Sequence, residues 1–389
     1  MRRVLLVLNT GSSSVKFSLH DAEGQARIAH GAIEGVGRAP CLIVHDARGS
    51  QELLPGDDVQ ADTAGLIDWL LHVLVAQSGP MHVVAAGHRV VHGGQDYAGP
   101  VVVTDAVMAR LDALCPLAPG HQPYNLLGIR AVAALWPATP QIACFDTAFH
   151  QARPRINMLY ALPRALSDDG ILRYGFHGLS YDHIARQLAA SLGDTVARGK
   201  VIVAHLGSGA SLCALQDGKS VDTTMGFTAL DGLMMGTRCG QIDPGVLLHL
   251  MRDKGLDADA LEHLLGRESG LLGVSGISPD MRDLLASPTP EAAEAVALFV
   301  QMILRQIGAL TATLGGLDAL VFTAGIGERS AEVRARVMAG LGWLGLIPDN
   351  TANQTHQTLI STPDSRVVAA MIPTDEERVI LRAMLTISL

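Results

Sequence analysis

One pattern occurs twice in the chain, as VLLVLNTGSSSVKFSLHDAEG at residues 4–24 and as VIVAHLGSGASLCALQDGKS at residues 201–220. Each copy has an apolar strand, a polar residue, a turn rich in glycine and serine, a second strand, and a turn that contains aspartate and glycine. The copies are about 200 residues apart, and no shorter period typical of a repeat array is present. We therefore predict an α/β protein with one duplicated unit, giving two related domains that face a cleft, with a short hinge near residues 147–155.

The composition is that of a folded, acidic protein. The chain has 389 residues, of which 48% are apolar, so it can form sizeable cores in two or three domains. Arginine and lysine number 29 against 38 aspartates and glutamates, which gives a net charge of −9. An acidic chain binds nucleic acid and anionic membranes poorly, so we expect neither as a partner. Any anion must be bound by local features.

The cysteines and the apolar segments favour a soluble cytoplasmic protein. Five cysteines are present, an odd number with no Cys-x-x-Cys pair, which argues against a disulfide framework or a zinc site. The first apolar run has five residues before Asn9 and is too short for a signal peptide. The most apolar later stretch, 295–314, is interrupted by Gln301, Arg305 and Gln306, so we predict a buried helix rather than a membrane span.

Apolar periodicity predicts the elements that carry the motifs. In the first half, strands are predicted at 3–8, 15–20, 27–33, 41–45, 81–86 and 141–145, and helices at 61–77, 104–114 and 121–135. In the second half, strands are predicted at 201–205, 211–215, 219–223, 318–323 and 366–372. The helices there are predicted at 181–192, 244–254, 258–265, 279–286, 290–314, 330–340 and 374–386.

Three glycine-rich turns follow apolar strands, at residues 9–14, 205–211 and 323–328. Glycine lets backbone N–H groups approach a phosphate closely, and the neighbouring serines add hydroxyl donors. Lys16 lies two residues beyond Ser14, so both side chains lie on one face of the second strand. The P-loop pattern GxxxxGK[ST] and a dinucleotide GxGxxG after a strand are both absent. One such turn is ordinarily only a turn, but three at matching places predict a phosphate site.

The chain resembles the acetate kinase family over essentially its whole length. The blocks that carry the resemblance are, in order, VLNTGSSSVKF (7–17), GHRVVHGG (87–94), CFDTAFH (144–150), RYGFHGLS (173–180), HLGSGAS (205–211), MGFTALDGLMMGTRCGQIDPG (225–245), SGISPDMRD (275–283), FTAGIGE (322–328) and IPTDEE (372–377). The family is part of the sugar kinase/Hsp70/actin superfamily. The resemblance implies two duplicated ribonuclease H-like domains flanking an active-site cleft. It also implies phosphoryl transfer between MgATP and a short-chain carboxylate.

The resemblance divides the chain into an N-terminal carboxylate and phosphate domain, residues 1–148 plus 373–389, and a C-terminal nucleotide-binding domain, residues 149–372. It implies three catalytic residues: Asp146, His177 and Arg238. An arginine at a strand end can present a planar fork to a carboxylate or a phosphoryl group, and the resemblance implies that Arg89 binds the substrate carboxylate. A carboxylate substrate is already ionised at pH 7, so we expect Asp146 to orient arginine or histidine side chains or Mg²⁺-bound waters rather than remove a proton.

The remaining expected site residues follow from the same resemblance. The substrate's acyl group would meet Val91, Gly120, Phe176 and Ala229. The nucleotide ATP or ADP would meet Lys16, Ser12, Ser14, His205, Leu206, Gly207, Ser208, Gly209, Asp280, Met281, Arg282, Gly325, Ile326, Gly327, Glu328 and Arg329. Mg²⁺, with Mn²⁺ as a substitute, would be held by Asn9 and Glu376, with Glu377 left open as the alternative carboxylate. His121 resembles a further active-site histidine of the family, and the resemblance implies a homodimer.

The chain departs from the family pattern at several positions. Gly120 stands where the family usually has leucine and Ala229 where it has proline. Both changes enlarge the acyl pocket unless Met225, Leu230 or a shifted backbone refills the space, so propionate or butyrate stays open beside acetate. Ser208 and Arg329 replace asparagines and leave the nucleotide preference open. Gly-Thr-Ser-His of the family is here Gly-Leu-Ser-Tyr, ending at Tyr181. The sequence leaves the direction of flux open.

A second class of function is an ATP-driven binding module like Hsp70 or actin. Such a switch needs no carboxylate clamp, so the presence of Arg89, Asp146, His177 and Arg238 argues for the kinase.

Overall fold

The computed structural model describes residues 2–23, 25–79 and 81–387 of the chain. The fold divides into two units: unit 1 comprises residues 1–148 and 375–389, and unit 2 comprises residues 149–374.

Unit 1 is built on an eight-stranded sheet. Its strands are β1 (Arg2–Thr10), β2 (Ser14–Asp21), β3 (Arg27–Glu34), β4 (Cys41–Asp46), β5 (Gly49–Leu53), β6 (Met81–Val90), β7 (Val101–Val102) and β8 (Gln141–Phe145), in the order β5-β4-β3-β2-β1-β6-β8-β7. Helices α1 (Thr63–Ser78), α2 (Asp105–Ala113) and α3 (Gln122–Leu135) complete this part of the unit. The core lies between one face of the sheet and α1, where Leu6, Leu8, Phe17, Ile33 and Leu70 are buried.

Unit 2 has a five-stranded sheet. Its strands are β9 (Lys200–Leu206), β10 (Ala210–Gln216), β11 (Lys219–Thr223), β12 (Ala319–Thr323) and β13 (Val368–Met371), in the order β11-β10-β9-β12-β13. The run β3-β2-β1-β6-β8 of unit 1 has the same order and the same pairing. In both runs the central strand pairs antiparallel with its hairpin partner and parallel with the next strand. The predicted duplication is therefore confirmed.

The helices of unit 2 are α4 (Arg164–Asp168), α5 (Gly178–Leu192), α6 (Asp194–Ala197), α7 (Pro244–Lys254), α8 (Ala258–His263), α9 (Gly270–Ser275), α10 (Met281–Ala286), α11 (Pro290–Leu314), α12 (Ala324–Arg329), α13 (Ala331–Ala339) and α14 (Asn350–Gln354). Of the described residues, α11 alone forms a helix that is long and apolar enough to cross a membrane by length and composition. Its buried residues include Phe299, Ile303, Ile307 and Leu310 at helical spacing, so one face packs in the core, as predicted for this segment.

After Thr374 the chain returns to unit 1 as α15 (Glu376–Ile387). This helix packs closely on β6 at Gly87. A Cβ atom at Gly87 would lie 2.3 Å from Cγ2 of Ile380 and 2.9 Å from Sδ of Met384. The missing side chain therefore permits the approach that brings the first residue of α15, Glu376, to the end of β6.

The structure differs from the sequence predictions at several elements. Residues 323–328 were predicted as a glycine-rich turn, but α12 begins directly after β12 with Ala324 at φ +64°. One residue with a left-handed backbone conformation turns the chain from strand to helix there. The sequence does not indicate this turn, because alanine rarely adopts a positive φ. Strands β5 and β7 were not predicted, since β5 is polar and β7 has two residues. The short helices α4, α6, α9 and α14 are also missing from the sequence prediction.

We predict that Gly87→Ala destabilises the chain by about 1–3 kcal/mol, because the added methyl group overpacks the contact with Ile380 and Met384. Thermal unfolding of the purified chain measures this as a lower Tm. The control is Gly308→Ala in α11, where a Cβ meets no atom within 4 Å and alanine favours the helix by about 0.5–1 kcal/mol. An unchanged Tm for Gly87→Ala would show that α15 does not press on β6 there.

Candidate active site

Three charged side chains meet at one edge of the sheet in unit 1. Strands β6 and β8 are parallel neighbours with Arg89 opposite Cys144, so Arg89 and Asp146 come to the same edge. Nε of Arg89 donates to both Asp146 oxygens at 3.1 Å, and Nη2 donates to Oδ2 at 2.8 Å. Nη1 of Arg89 lies 2.8 Å from Oε2 of Glu376, at the start of α15. One partly buried guanidinium is therefore shared by two carboxylates.

This arrangement perturbs the titration of both buried partners. Burial raises the pKa of Asp146, the charge of Glu376 raises it further, and Arg89 limits the rise. Burial acts against the charge of Arg89, but Asp146 and Glu376 together raise the Arg89 pKa above its usual range. Arg89 therefore stays cationic and fixed in orientation. The bidentate contact supports the expectation that Asp146 orients an arginine.

Two buried polar side chains of α3, Gln122 and Asn125, hold the loop that follows β6. Oδ1 of Asn125 accepts from the Val91 N–H at 2.9 Å, and Oε1 of Gln122 accepts from the His92 N–H at 3.1 Å. The Asn125 amide also donates to the Thr10 carbonyl at the end of β1. The sequence prediction did not include this pair. Its signal is a polar i, i+3 pair on the buried face of an otherwise apolar helix.

The remaining predicted residues of unit 1 lie near strand ends or in loops. Asn9 pairs with Lys16 in the β1–β2 ladder, and the Gly11 N–H closes the turn on the Ser14 carbonyl at 2.9 Å. Lys16 is exposed, and Ser12 and Ser14 are half-buried. Gly120 is half-buried in the loop before α3, and a Cβ atom there would meet no atom within 4 Å. His121 is exposed beside it.

In unit 2, His177 and Arg238 converge on Gly209. A Cβ atom at Gly209 would lie 3.1 Å from Nη2 of Arg238 and 3.3 Å from Nε2 of His177. His177 has φ +59°, immediately before α5, and its ring stacks on that of His205 with centroids 4.1 Å apart. The lack of a side chain at Gly209 is thus what gives the arginine and the histidine access to one point beside the β9–β10 turn.

The guanidinium of Arg238 is paired with a backbone carbonyl and not with a carboxylate. Its Nη1 donates to the carbonyl of Ala229 at 2.7 Å. Among the described residues, no acidic side chain forms an ion pair with it. Burial lowers the Arg238 pKa to about 10, with a smaller contribution from Arg267, so the guanidinium remains cationic at neutral pH. A partly buried cation without a carboxylate partner favours an anionic ligand.

Two predicted nucleotide segments of unit 2 lie together with the loop that carries Arg238. A Cβ atom at Gly207 would lie 3.7 Å from Cβ of Ala324 and 4.0 Å from the nitrogen of Gly325. The Gly236 N–H donates to the Ser208 carbonyl at 3.1 Å. Ser208 and Gly325 are exposed, whereas Leu206 is buried. The structure therefore brings the 206–209, 236–238 and 324–325 segments together.

Other predicted nucleotide residues already have protein partners. The Glu328 carboxylate oxygen Oε1 accepts from the backbone N–H of Ala324 at 2.8 Å and of Thr374 at 3.0 Å, so it closes its own loop. Asp280 caps α10 and pairs with Arg282, which is exposed. The other predicted nucleotide residues differ in solvent exposure: Met281 and Gly327 are buried, Ile326 is half-buried and Arg329 is exposed.

The two expected acyl-pocket residues of unit 2 differ in exposure. Phe176 is buried, and its carbonyl accepts from Nε2 of His150 at 3.0 Å. Ala229 is half-buried, with its carbonyl on Arg238. The side chain of Phe176 is therefore packed in the core, whereas Ala229 presents a small side chain next to the guanidinium of Arg238.

A metal ion would have to use few protein ligands. Within residues 2–23, 25–79 and 81–387, no group of three or more His, Cys, Asp or Glu side chains could hold a metal ion. Mg²⁺ keeps several waters and takes one or two carboxylates together with substrate phosphates. The carboxylate of Glu376 and the amide of Asn9 fit an ion that arrives with a nucleotide, and they do not form a cage for a resident ion.

Comparisons with known proteins agree over the full length of the chain. The family model described as the acetokinase family matches residues 4–382. An acetate kinase of Rhodopseudomonas palustris is 52% identical, over 98% of each chain. The crystal structure of Porphyromonas gingivalis acetate kinase superposes with a TM-score of 0.89 at 36% identity, covering 99% of both chains. That of a propionate kinase from Francisella tularensis gives 0.91 at 35% identity, covering 98% of both. The chain therefore belongs to the acetokinase family.

Proposed function

We propose that the chain catalyses reversible transfer of the γ-phosphoryl group of MgATP to acetate, giving acetyl phosphate and ADP. It is a phosphotransferase with a carboxyl group as acceptor. The observation that carries the proposal is the convergence of Arg238 and His177 beside Gly209, because phosphoryl transfer needs cationic and hydrogen-bond donors around the transferring group. The shared guanidinium of Arg89 supports the carboxylate specificity.

Arg89 binds the carboxylate of the acceptor in this proposal. A guanidinium has five N–H donors. The hydrogen bonds to Asp146 use Nε–H and one N–H of Nη2, and Nη1 forms an ion pair with Glu376. One N–H on each terminal nitrogen remains for a planar, two-oxygen anion. Asp146 and Glu376 hold the guanidinium still, so the acceptor meets a fork that is already oriented.

The nucleophile needs no base, since a carboxylate is ionised at neutral pH. Arg238 and His177 donate to the oxygens of the transferring phosphoryl group, where negative charge is spread in the transition state. Lys16, Ser12 and Ser14 bind phosphate at the β1–β2 turn, and the 205–209 and 325–329 segments with Asp280–Arg282 bind the nucleotide. When bound at Asn9 and Glu376, Mg²⁺ or Mn²⁺ neutralises phosphate charge.

Two further features of the proposal concern assembly and location. We propose a homodimer. Helix α7 supports it, because none of its eleven residues, all of them described, is buried, and Val246, Leu248 and Met251 are exposed.

We place the reaction in the cytoplasm, without nucleic-acid or membrane partners. All five cysteines, which lie within the described residues, are free thiols, and the chain carries a net charge of −9.

Trapping with hydroxylamine tests the reaction directly. We expect the chain to form acetyl hydroxamate from acetate and MgATP, and Arg238→Ala to lower kcat by roughly 10²–10³, as for the loss of one donor to a transition state. The matched control is Arg186→Ala on α5, which removes an exposed arginine paired with Asp182 and should leave kcat unchanged. An absence of hydroxamate from every short carboxylate would favour the binding module.

The acyl pocket yields a second prediction. We propose that propionate or butyrate is used comparably to acetate, because Gly120 leaves open space where the family has leucine. Gly120→Leu should shift kcat/KM toward acetate by roughly 10-fold or more, the value of a methylene or two in a fitting pocket. The measurement is kcat/KM for the C2–C4 acids, with Gly99→Leu, also in open space in unit 1, as the control. A strong acetate preference that Gly120→Leu does not change would contradict a role for Gly120.

A further inference from the structure

Tyr181, where the family has histidine, lies behind His177 rather than in contact with any proposed ligand. It is fully buried on α5, and its hydroxyl hydrogen-bonds Oγ of Ser211 on β10. Oγ of Ser211 lies 2.9 Å from Nδ1 of His177. We propose that Tyr181 and Ser211 are positioning residues that fix His177 as the tautomer with its proton on Nε2. The proposal rests on the proposed role of His177 in phosphoryl transfer.

The direction of this hydrogen-bond chain follows from counting protons. Each hydroxyl has one proton to donate. Ser211 is the hydrogen-bond partner that the described residues provide for the Tyr181 hydroxyl. If Ser211 donated to Tyr181, the tyrosine proton would be buried without an acceptor, and that is costly. Tyr181 therefore donates to Ser211, and Ser211 donates to Nδ1 of His177.

Burial favours the same direction by keeping the tyrosine protonated. Loss of solvation raises the Tyr181 pKa well above its usual value, although the hydrogen bond with Ser211 acts in the opposite sense. The groups around the ring are His150 and His205, whose centroids lie 5.6 and 6.3 Å away, and the buried thiol of Cys213. Burial also lowers the pKa of His150, to about 3, so this neighbour is neutral at pH 7 and provides no positive charge that would stabilise a tyrosinate.

A neutral His177 with its proton on Nε2 suits the proposed reaction. Nε2 lies beside Gly209 and near Nη2 of Arg238, where it donates to a phosphoryl oxygen. A doubly protonated His177 would donate from Nδ1 to Ser211, which already accepts from Tyr181, so the serine proton would lose its acceptor. The neighbouring charge of Arg238 also opposes an imidazolium, and His205 stacks on the ring without supplying a negative charge. The chain of hydroxyls thus keeps His177 neutral and correctly protonated.

The structural alternative is that Tyr181 only fills the core, which phenylalanine would do equally well. We expect Tyr181→Phe to lower kcat about tenfold, the factor typical of one neutral hydrogen bond, while KM for ATP and acetate changes less than about twofold. Without the tyrosine proton, Ser211 is free to accept from Nδ1, so the acidic limb of the kcat–pH profile should move to higher pH. The matched control is Tyr174→Phe, which removes another buried hydroxyl, on the Gly170 carbonyl at 2.7 Å.

The decisive experiment is NMR of the full chain with ¹⁵N-labelled histidine. The His177 resonances should report a proton on Nε2 in the parent chain and in Tyr174→Phe, and a mixture of tautomers or an imidazolium in Tyr181→Phe. Because Tyr181 acts through Ser211, kcat of the double variant Tyr181→Phe/Ser211→Ala should equal that of Ser211→Ala.

An Nδ1-protonated His177 in the parent chain, an unchanged tautomer in Tyr181→Phe, or multiplying losses in the double variant would each overturn the proposal. The NMR result stands apart from activity. A chain that forms no acyl phosphate but shows the expected tautomers would contradict the proposed function alone.

Discussion

The partly buried guanidinium of Arg89, shared between Asp146 and Glu376, is the interaction that joins strands β6 and β8 to the returning helix α15. A buried cation is stable only with good partners, and removal of one partner from such a pair typically costs about 3–5 kcal/mol. One partner comes from the end of the neighbouring parallel strand β8, the other from the helix that returns from the far end of the chain. The bare backbone at Gly87 allows that helix to approach β6. The order of the strands, the return of the chain as α15 and the absence of a side chain at Gly87 together place both carboxylates beside Arg89.

Unit 2 positions its reactive groups by different means. Its cation, Arg238, donates a hydrogen bond to a carbonyl, and burial lowers the Arg238 pKa. Its histidine is held by a left-handed backbone at the start of α5 and by the hydroxyl of Ser211. The two units therefore divide the electrostatic task. In the proposed reaction, Arg89 is already paired with carboxylates and selects a planar anion by geometry, whereas Arg238 has no carboxylate partner among the described residues and its charge is available to a group whose negative charge grows during reaction.

The sequence predicts the parts of this fold that depend on local pattern. Duplicated hairpins and apolar runs locate the strands around Arg89, Asp146 and His205, and the motif blocks locate the glycine turns. The sequence does not predict features that depend on contacts between distant segments or on an unusual backbone conformation. Ala324 takes a left-handed conformation that its residue type does not signal, so α12 was predicted as a turn. The contacts of Gln122, Glu328 and Tyr181 depend on which segments the sheet order brings together, and their residue types alone do not indicate it.

The measurement that tests the account most directly is the pH–rate profile of Asp146→Asn with acetate as acceptor. If Asp146 acts by holding Arg89, kcat/KM for acetate should fall by roughly 10–100-fold, the value of a charged hydrogen bond. From about pH 7 to about pH 9, where acetate is fully ionised, the profile should stay parallel to that of the parent chain. If Asp146 were instead a general base, the variant's rate would climb about tenfold per pH unit as hydroxide replaced it. That slope, or an unchanged kcat/KM, would contradict the account.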